Sequence, residues 1–127
     1  MAGFSDFLET KVLEHVFGGS AYTAPTTLHI ALYTAAPTDS GGGTEVNGGA
    51  YARQTATFNV RGNTATNAAN VEYATATANY GTVVAMGIFD AATSGNLLAY
   101  GTLTTSKSVS TGDVFRFNAS AIDITLT

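Results

Sequence analysis

Cysteine and tryptophan are missing from this chain, and it has only two prolines and two histidines. Without cysteine there can be no disulfide staple, no thiolate nucleophile and no thiolate metal site. Charge is scarce too: charged residues make up 11% of the chain, against about 25% in an ordinary soluble domain. The five cations, Lys11, Arg53, Arg61, Lys107 and Arg116, are scattered and the net charge is -4. No basic stripe exists to neutralise a phosphate backbone, so no direct nucleic-acid contact is expected. No stretch approaches the roughly 20 apolar residues of a membrane-spanning helix, and the start lacks the basic and apolar segments of a secretion signal. The expectation is a soluble chain without membrane contact.

Thr, Ala, Asn and the 14 glycines dominate instead. A neutral, hydroxyl-rich surface repels copies of itself weakly and loses little on desolvation, which suits packing against neighbouring subunits. The 127 residues fit a single domain spanning 1–127, large enough to be stable without staples.

The helix expected over residues 5–17 carries Phe7, Leu8, Val12, Leu13, Val16 and Phe17, with Phe4 just before it, on one broad stripe at helical spacing. Ser5 or Asp6 can cap the start, Asp6 and Glu9 have capping-box spacing, and Gly18-Gly19 supply the stop. A helix this apolar must cover a sheet or dock on another chain. Beyond it the period changes to two. Leu28, Ile30 and Leu32 share one face of a strand, and further short strands are expected at 51–60, 71–77, 82–89, 97–104, 114–118 and 121–126. Arg61-Gly62-Asn63, Ser94-Gly95-Asn96 and Thr111-Gly112-Asp113 have turn chemistry, so most consecutive strands should be antiparallel neighbours. One helix and about seven strands predict a mainly β fold: a single antiparallel β-sandwich, jelly-roll-like, or a small barrel. The glycine-rich stretch 35–49 reads as an exposed, flexible loop, either a contact loop or a tolerated insertion. The strand 121–126 can pair at a sheet edge, in its own chain or across subunits.

No chemistry assembles from these residues. His15 lies beside the helical stripe and His29 on a strand face, neither with a nucleophile or carboxylate at a useful spacing. Asp39 and Glu45 flank the glycine loop and offer at most a weak calcium site, while Asp90 and Asp113 read as turn residues. Gly41-Gly42-Gly43 follows no phosphate-loop pattern. Catalytic, cofactor-binding and metal residues are therefore all expected to be absent. Phe58, Phe89, Phe115 and Phe117 fall in strand patterns and read as core. Tyr51, Tyr73, Tyr80 and Tyr100 suit partly wet contacts. The candidate partner contacts are Phe4, Phe7, Phe17, Tyr51 and Tyr100.

The segments MAGFSDFLETKVLEHVFGGSAYTAP, LHIALYTAAPTD, GGTEVNGGAYARQ, MGIFDAATSGNLLAYGTLTTSKSV and GDVFRFNASAIDITL resemble a family of small virion structural proteins of tailed bacteriophages. Such proteins are commonly labelled tail fibre proteins. The resemblance covers nearly the whole chain apart from 59–79, and it implies a virion component made in the host cytoplasm. A fibre must be long, whereas a domain of this length spans only a few nanometres. Size and acidity favour a capsid decoration or cement protein on the outer head surface, a homotrimer bound to the major capsid protein. The alternative is a tail or head-fibre component, a receptor- or glycan-binding module that uses the loop at 35–49 as its contact surface and has tail or fibre proteins as partners.

Overall fold

The structure, a computed structural model, describes residues 2–126. Met1 and Thr127, the two ends of the expected domain, lie outside the described residues. Eleven strands and one helix follow in the order β1 (Gly3–Phe4), α1 (Asp6–Val16), β2 (Leu28–Ala35), β3 (Thr44–Glu45), β4 (Gln54–Ala56), β5 (Phe58–Arg61), β6 (Thr64–Asn67), β7 (Val71–Glu72), β8 (Gly81–Phe89), β9 (Leu97–Val109), β10 (Arg116–Phe117) and β11 (Asp123–Thr125). The fold is mainly β and antiparallel, consistent with a sandwich. The large sheet runs β1-β9-β8-β2-β3, with β4 also on β2; β11-β6-β5 and β10-β7 form smaller sheets.

Two seams join the large sheet to β11-β6-β5. The expected strand 51–60 is interrupted at Thr57: β4 pairs with β2 and β5 with β6, so one stretch of chain serves both sheets. At the other seam, β1 pairs with β9 while the preceding Ala2 bridges Ile124 in β11. The Ala2 amide donates to the Asp123 carbonyl at 2.8 Å, and the Thr125 amide donates back to Ala2 at 3.2 Å. Strands that pass between sheets at corners are how orthogonal sandwiches are built.

Alternation explains the core on β2, and on β8 the irregularity between Val83 and Ala85 brings Val83 onto the same face as Ile88. Ile30 and Leu32 of β2, with Val83 and Ile88 of β8, are almost fully buried and meet Val71, Tyr73, Phe115, Phe117 and Ile122 from the covering layer. The opposite face of the large sheet carries Ala31, Tyr33, Ala85, Phe89 and Leu97 as a second cluster. Covering on both faces is why Ile30-Ala31-Leu32-Tyr33 is buried without a gap.

Consecutive strands pair less often than the turns imply. β5-β6 is a two-residue hairpin in which Gly62 takes φ +59°, as the Arg61-Gly62-Asn63 turn predicts, and β8-β9 is a second hairpin. The Thr111-Gly112-Asp113 turn instead crosses between sheets, because β9 pairs with β8 whereas β10 pairs with β7. The stretch expected as strand 71–77 is regular only over Val71–Glu72. Beyond it Tyr73 and Ala76 still donate to the Phe115 and Asp113 carbonyls at 2.9 Å each.

The glycine-rich stretch is tied to the sheet. β3 pairs with β2, Val46 is buried, and Thr38 and Gly41 bond to each other. Gly43, at φ +74°, lies so close to the backbone that an added Cβ would stand 2.7 Å from the Ala35 carbonyl oxygen and the Pro37 nitrogen. No side chain fits there.

Candidate functional site

Helix α1 is fastened at its start. The buried Ser5 hydroxyl accepts the Leu8 amide at 3.3 Å as N-cap and donates to the Leu97 carbonyl, while the Ser5 amide donates to Leu98 at 2.7 Å. One residue thus caps the helix and docks it on β9, and Ser5 rather than Asp6 is the cap. Ser5→Ala should cost about 1–2 kcal/mol, because the cap is lost and a carbonyl is orphaned. An unchanged midpoint in urea unfolding would refute this.

The apolar stripe does not pack as one surface. No residue of α1 is fully buried. Phe7, Leu8 and Val12 are half-buried on the side toward the sheet, but every residue from Leu13 to Ala21 is exposed. Phe17 is 82% exposed, Val16 61% and Leu13 58%. Periodicity gave the stripe but not its reach: β1, two residues long, and the Leu97–Leu98 anchor support only the first turns. Gly19, at φ +72°, ends the helix by letting the Ser20 amide fold back onto the Glu14 carbonyl at 3.0 Å. The chain then returns past α1, where the Tyr22 amide donates to His15 Nδ1 at 3.0 Å and the Tyr22 ring meets Phe7 edge-on at 6.3 Å.

Of the candidate contacts, Phe4 pairs opposite Ala99, and Gly3 opposite Tyr100. Tyr100 donates its hydroxyl to Asp39, which ties the glycine-rich stretch to β9 near the helix start. Phe4, Phe7 and Tyr100 therefore share the docked end of α1, and Phe17 lies at the other end. Tyr51 sits elsewhere, with its ring stacked on Tyr73 at 6.1 Å and edge-on to Tyr80 at 5.9 Å. The suggestion of wet contacts fails for Tyr73 and Tyr80, which are 2% and 7% exposed and belong to the core. The Tyr73 hydroxyl reaches the Ile30 carbonyl at 2.7 Å, so a strand carbonyl satisfies the polar end that suggested water. Phe89, Phe115 and Phe117 are buried, and Phe58 is partly so.

Asp39 and Glu45 do not meet. Asp39 holds Tyr100, whereas Glu45 accepts Nε and Nη2 of the Arg53 guanidinium at 2.9 Å each and the Tyr51 hydroxyl at 2.5 Å. Arg53 also donates to the Ala91 and Ser94 carbonyls at 3.0 and 2.8 Å and lies 3.7 Å over the Phe89 ring. Burial works against ionised Glu45, yet the hydrogen bonds from Arg53 and Tyr51 prevail and hold its carboxyl below the ordinary range. Nothing in the sequence marked Arg53, since its partners, Glu45 and the stretch Phe89–Ser94, are brought together only by the fold. Asp90 and Asp113 serve turns as expected, accepting the Asn96 and Ser110 amides at 2.8 Å. Among the described residues no group of three or more His, Asp or Glu side chains is placed to hold a metal ion.

Among the described residues, one helix with an exposed apolar end on antiparallel sheets consistent with a sandwich makes this a mainly β module with no assembled catalytic or metal site. Over residues 3–125 the chain matches the family described as Podophage GP4 fiber I protein gp80, and it belongs to that family. It is thus a structural protein of the phage virion. No curated protein matches the chain.

Proposed function

We propose that the protein is a non-enzymatic fibre subunit of the virion that docks on a neighbouring virion protein through the free end of α1. The exposed trio Leu13, Val16 and Phe17 carries this reading. Spaced i, i+3 and i+4, the three side chains form one patch instead of isolated exposures. Asp6 and Glu9 continue the same face toward the helix start, and the surface that fits is an apolar groove bordered by Lys or Arg. The family description, a fibre protein, supports placement on a fibre.

Phe17→Asp should leave stability within about 0.5 kcal/mol, since the ring touches little of its own chain. It should weaken docking by about 10- to 100-fold, the loss of one buried aromatic side chain. The assay is incorporation of the variant into virions that lack the wild-type protein. Wild-type incorporation by a folded variant would refute docking through α1.

A second reading, a decoration protein trimeric on the outer capsid and bound to the major capsid protein, draws on the compact size and the net charge of -4. An outward, DNA-distant site favours acidity. Densitometry of purified virions against the major capsid protein separates the two. Copies in the hundreds mean lattice decoration, and a few to a few dozen mean a fibre.

A further inference from the structure

A cleft of about 180 Å³ opens between β9, β10 and residues 121–123. Its floor is apolar, with Met86, Phe115, Phe117 and Ile122 all buried. Its rim is polar: Thr102, Thr104, Thr105, Lys107 and Arg116 are all exposed.

The β9 ladder breaks at this rim. Val83 of β8 pairs with Lys107, but Ala85 pairs with Thr102, so Leu103–Ser106 stand opposite the single residue Val84. Bulges re-aim side chains and recur beside binding sites. Here the bulge presents Thr104, Thr105 and Lys107 to the cleft, and within the described chain these three side chains make no hydrogen bond or ion pair.

Two of the five cations thus border one small cavity of an acidic protein. Arg116 lies 3.6 Å from Glu72, but both side chains are at least half exposed, and such a pair holds its arginine weakly. Asp123, which also borders the cleft, is engaged within the chain. The cavity falls below the roughly 300–1,000 Å³ of drug-sized sites, so its occupant is about one ring in size. The apolar floor suits the C–H face of a ring, the threonine hydroxyls suit ring hydroxyls, and Lys107 suits a carboxylate.

We propose that this cleft binds a carboxylated sugar ring of the uronic-acid type. The assignment stands on the cleft alone and is independent of where in the virion the protein sits.

Amide chemical shifts of the full chain, titrated separately with glucuronate, glucose and acetate to about 50 mM, test it at millimolar affinities. Glucuronate should give saturable shifts at Thr104, Thr105, Lys107 and Phe117, weakened by added salt. Glucose and acetate should bind at least about tenfold more weakly. Lys107→Ala, at an exposed position, should keep the parent spectrum away from the cleft and lose about tenfold or more in glucuronate affinity. Arg61→Ala, which removes a cation that does not line the cleft, should bind as the parent does. The proposal is overturned if glucuronate shifts nothing at the cleft, if glucose or acetate matches it, or if Lys107→Ala binds it unchanged.

Discussion

Arg53→Ala is expected to lower the melting temperature by about 10 °C, corresponding to about 2–4 kcal/mol in a domain of this size. Four attachments disappear together: the paired bonds to Glu45, the bonds to Ala91 and Ser94, and the cover over Phe89. Glu45, 27% exposed, is left with only the Tyr51 hydroxyl, and removing one member of a largely buried pair costs more than the pair contributes. Arg53→Lys keeps the charge but cannot grip both carboxylate oxygens and reach two carbonyls, so it should recover no more than about half of the loss. The pair also sets an acid limit. Glu45 ionises more readily in the folded chain than in the unfolded one, so its contribution is complete above the unfolded value near pH 4.3 and fades as pH falls below it. The deficit of Arg53→Ala should therefore shrink in acid. A melting temperature within about 2 °C of the parent at neutral pH would dismiss Arg53 as a stabilising hub.

The second large effect comes from exchanging a single group. Asn67, 1% exposed at the end of β6, donates from Nδ2 to the Ala69 and Asn118 carbonyls at 2.9 Å each and accepts the Ile122 amide at 2.8 Å on Oδ1. Asn67→Asp turns the donor toward two carbonyls into an acceptor and buries a charge with no cation in contact. The expected loss is about 3–5 kcal/mol at neutral pH. Protonation relieves it in part, since burial raises the introduced carboxyl above its unfolded value. The variant should therefore gain on the parent as pH falls, opposite to the trend of the Glu45 contribution itself. Asn67→Ala, which loses the bonds but adds no charge, should cost less, about 2–3 kcal/mol. Chemical denaturation at neutral and acid pH measures both variants, and equal losses at the two pH values for Asn67→Asp would refute a buried, unpaired charge.

These two residues mark how far the sequence could be read. Elements made by local periodicity or turn chemistry were legible: the helix between Ser5 and Gly18-Gly19, the long strands β2 and β8, the first part of β9 up to Thr104, and the Gly62-Asn63 hairpin. Asn67 was not, because in the run Thr64–Asn70 it looks like any polar loop residue. Only the fold brings Asn118 and Ile122 to it. Arg53 was hidden for the same reason. The bulge in β9 escaped, and with it the second half of the strand to Val109, because the pairing with β8 resumes only at Lys107 and the partner strand sets that register. Tyr73 was placed too near water because an amphipathic ring looks the same whether a strand carbonyl or solvent meets its hydroxyl, and Tyr80 because nothing local shows that its hydroxyl is buried without a partner among the described residues. For the candidate surface, the helical stripe was visible in the sequence, but which half of it remains open depends on the reach of β1 and β9.

The seam at Ala2 bears on how the molecule forms. Because Ala2 and Ile124 pair across nearly the whole chain, the sandwich cannot close early. While the chain is being synthesised, β1 waits for β9 and the edge of β6 waits for β11, each made long after its partner, and contacts of such long range form slowly. At high protein concentration, open strand edges on neighbouring molecules favour exchange of the closing strand between them. Refolding should accordingly be slow and concentration-dependent in yield, with the closing segments 2–4 and 123–125 the last to gain protection from hydrogen exchange.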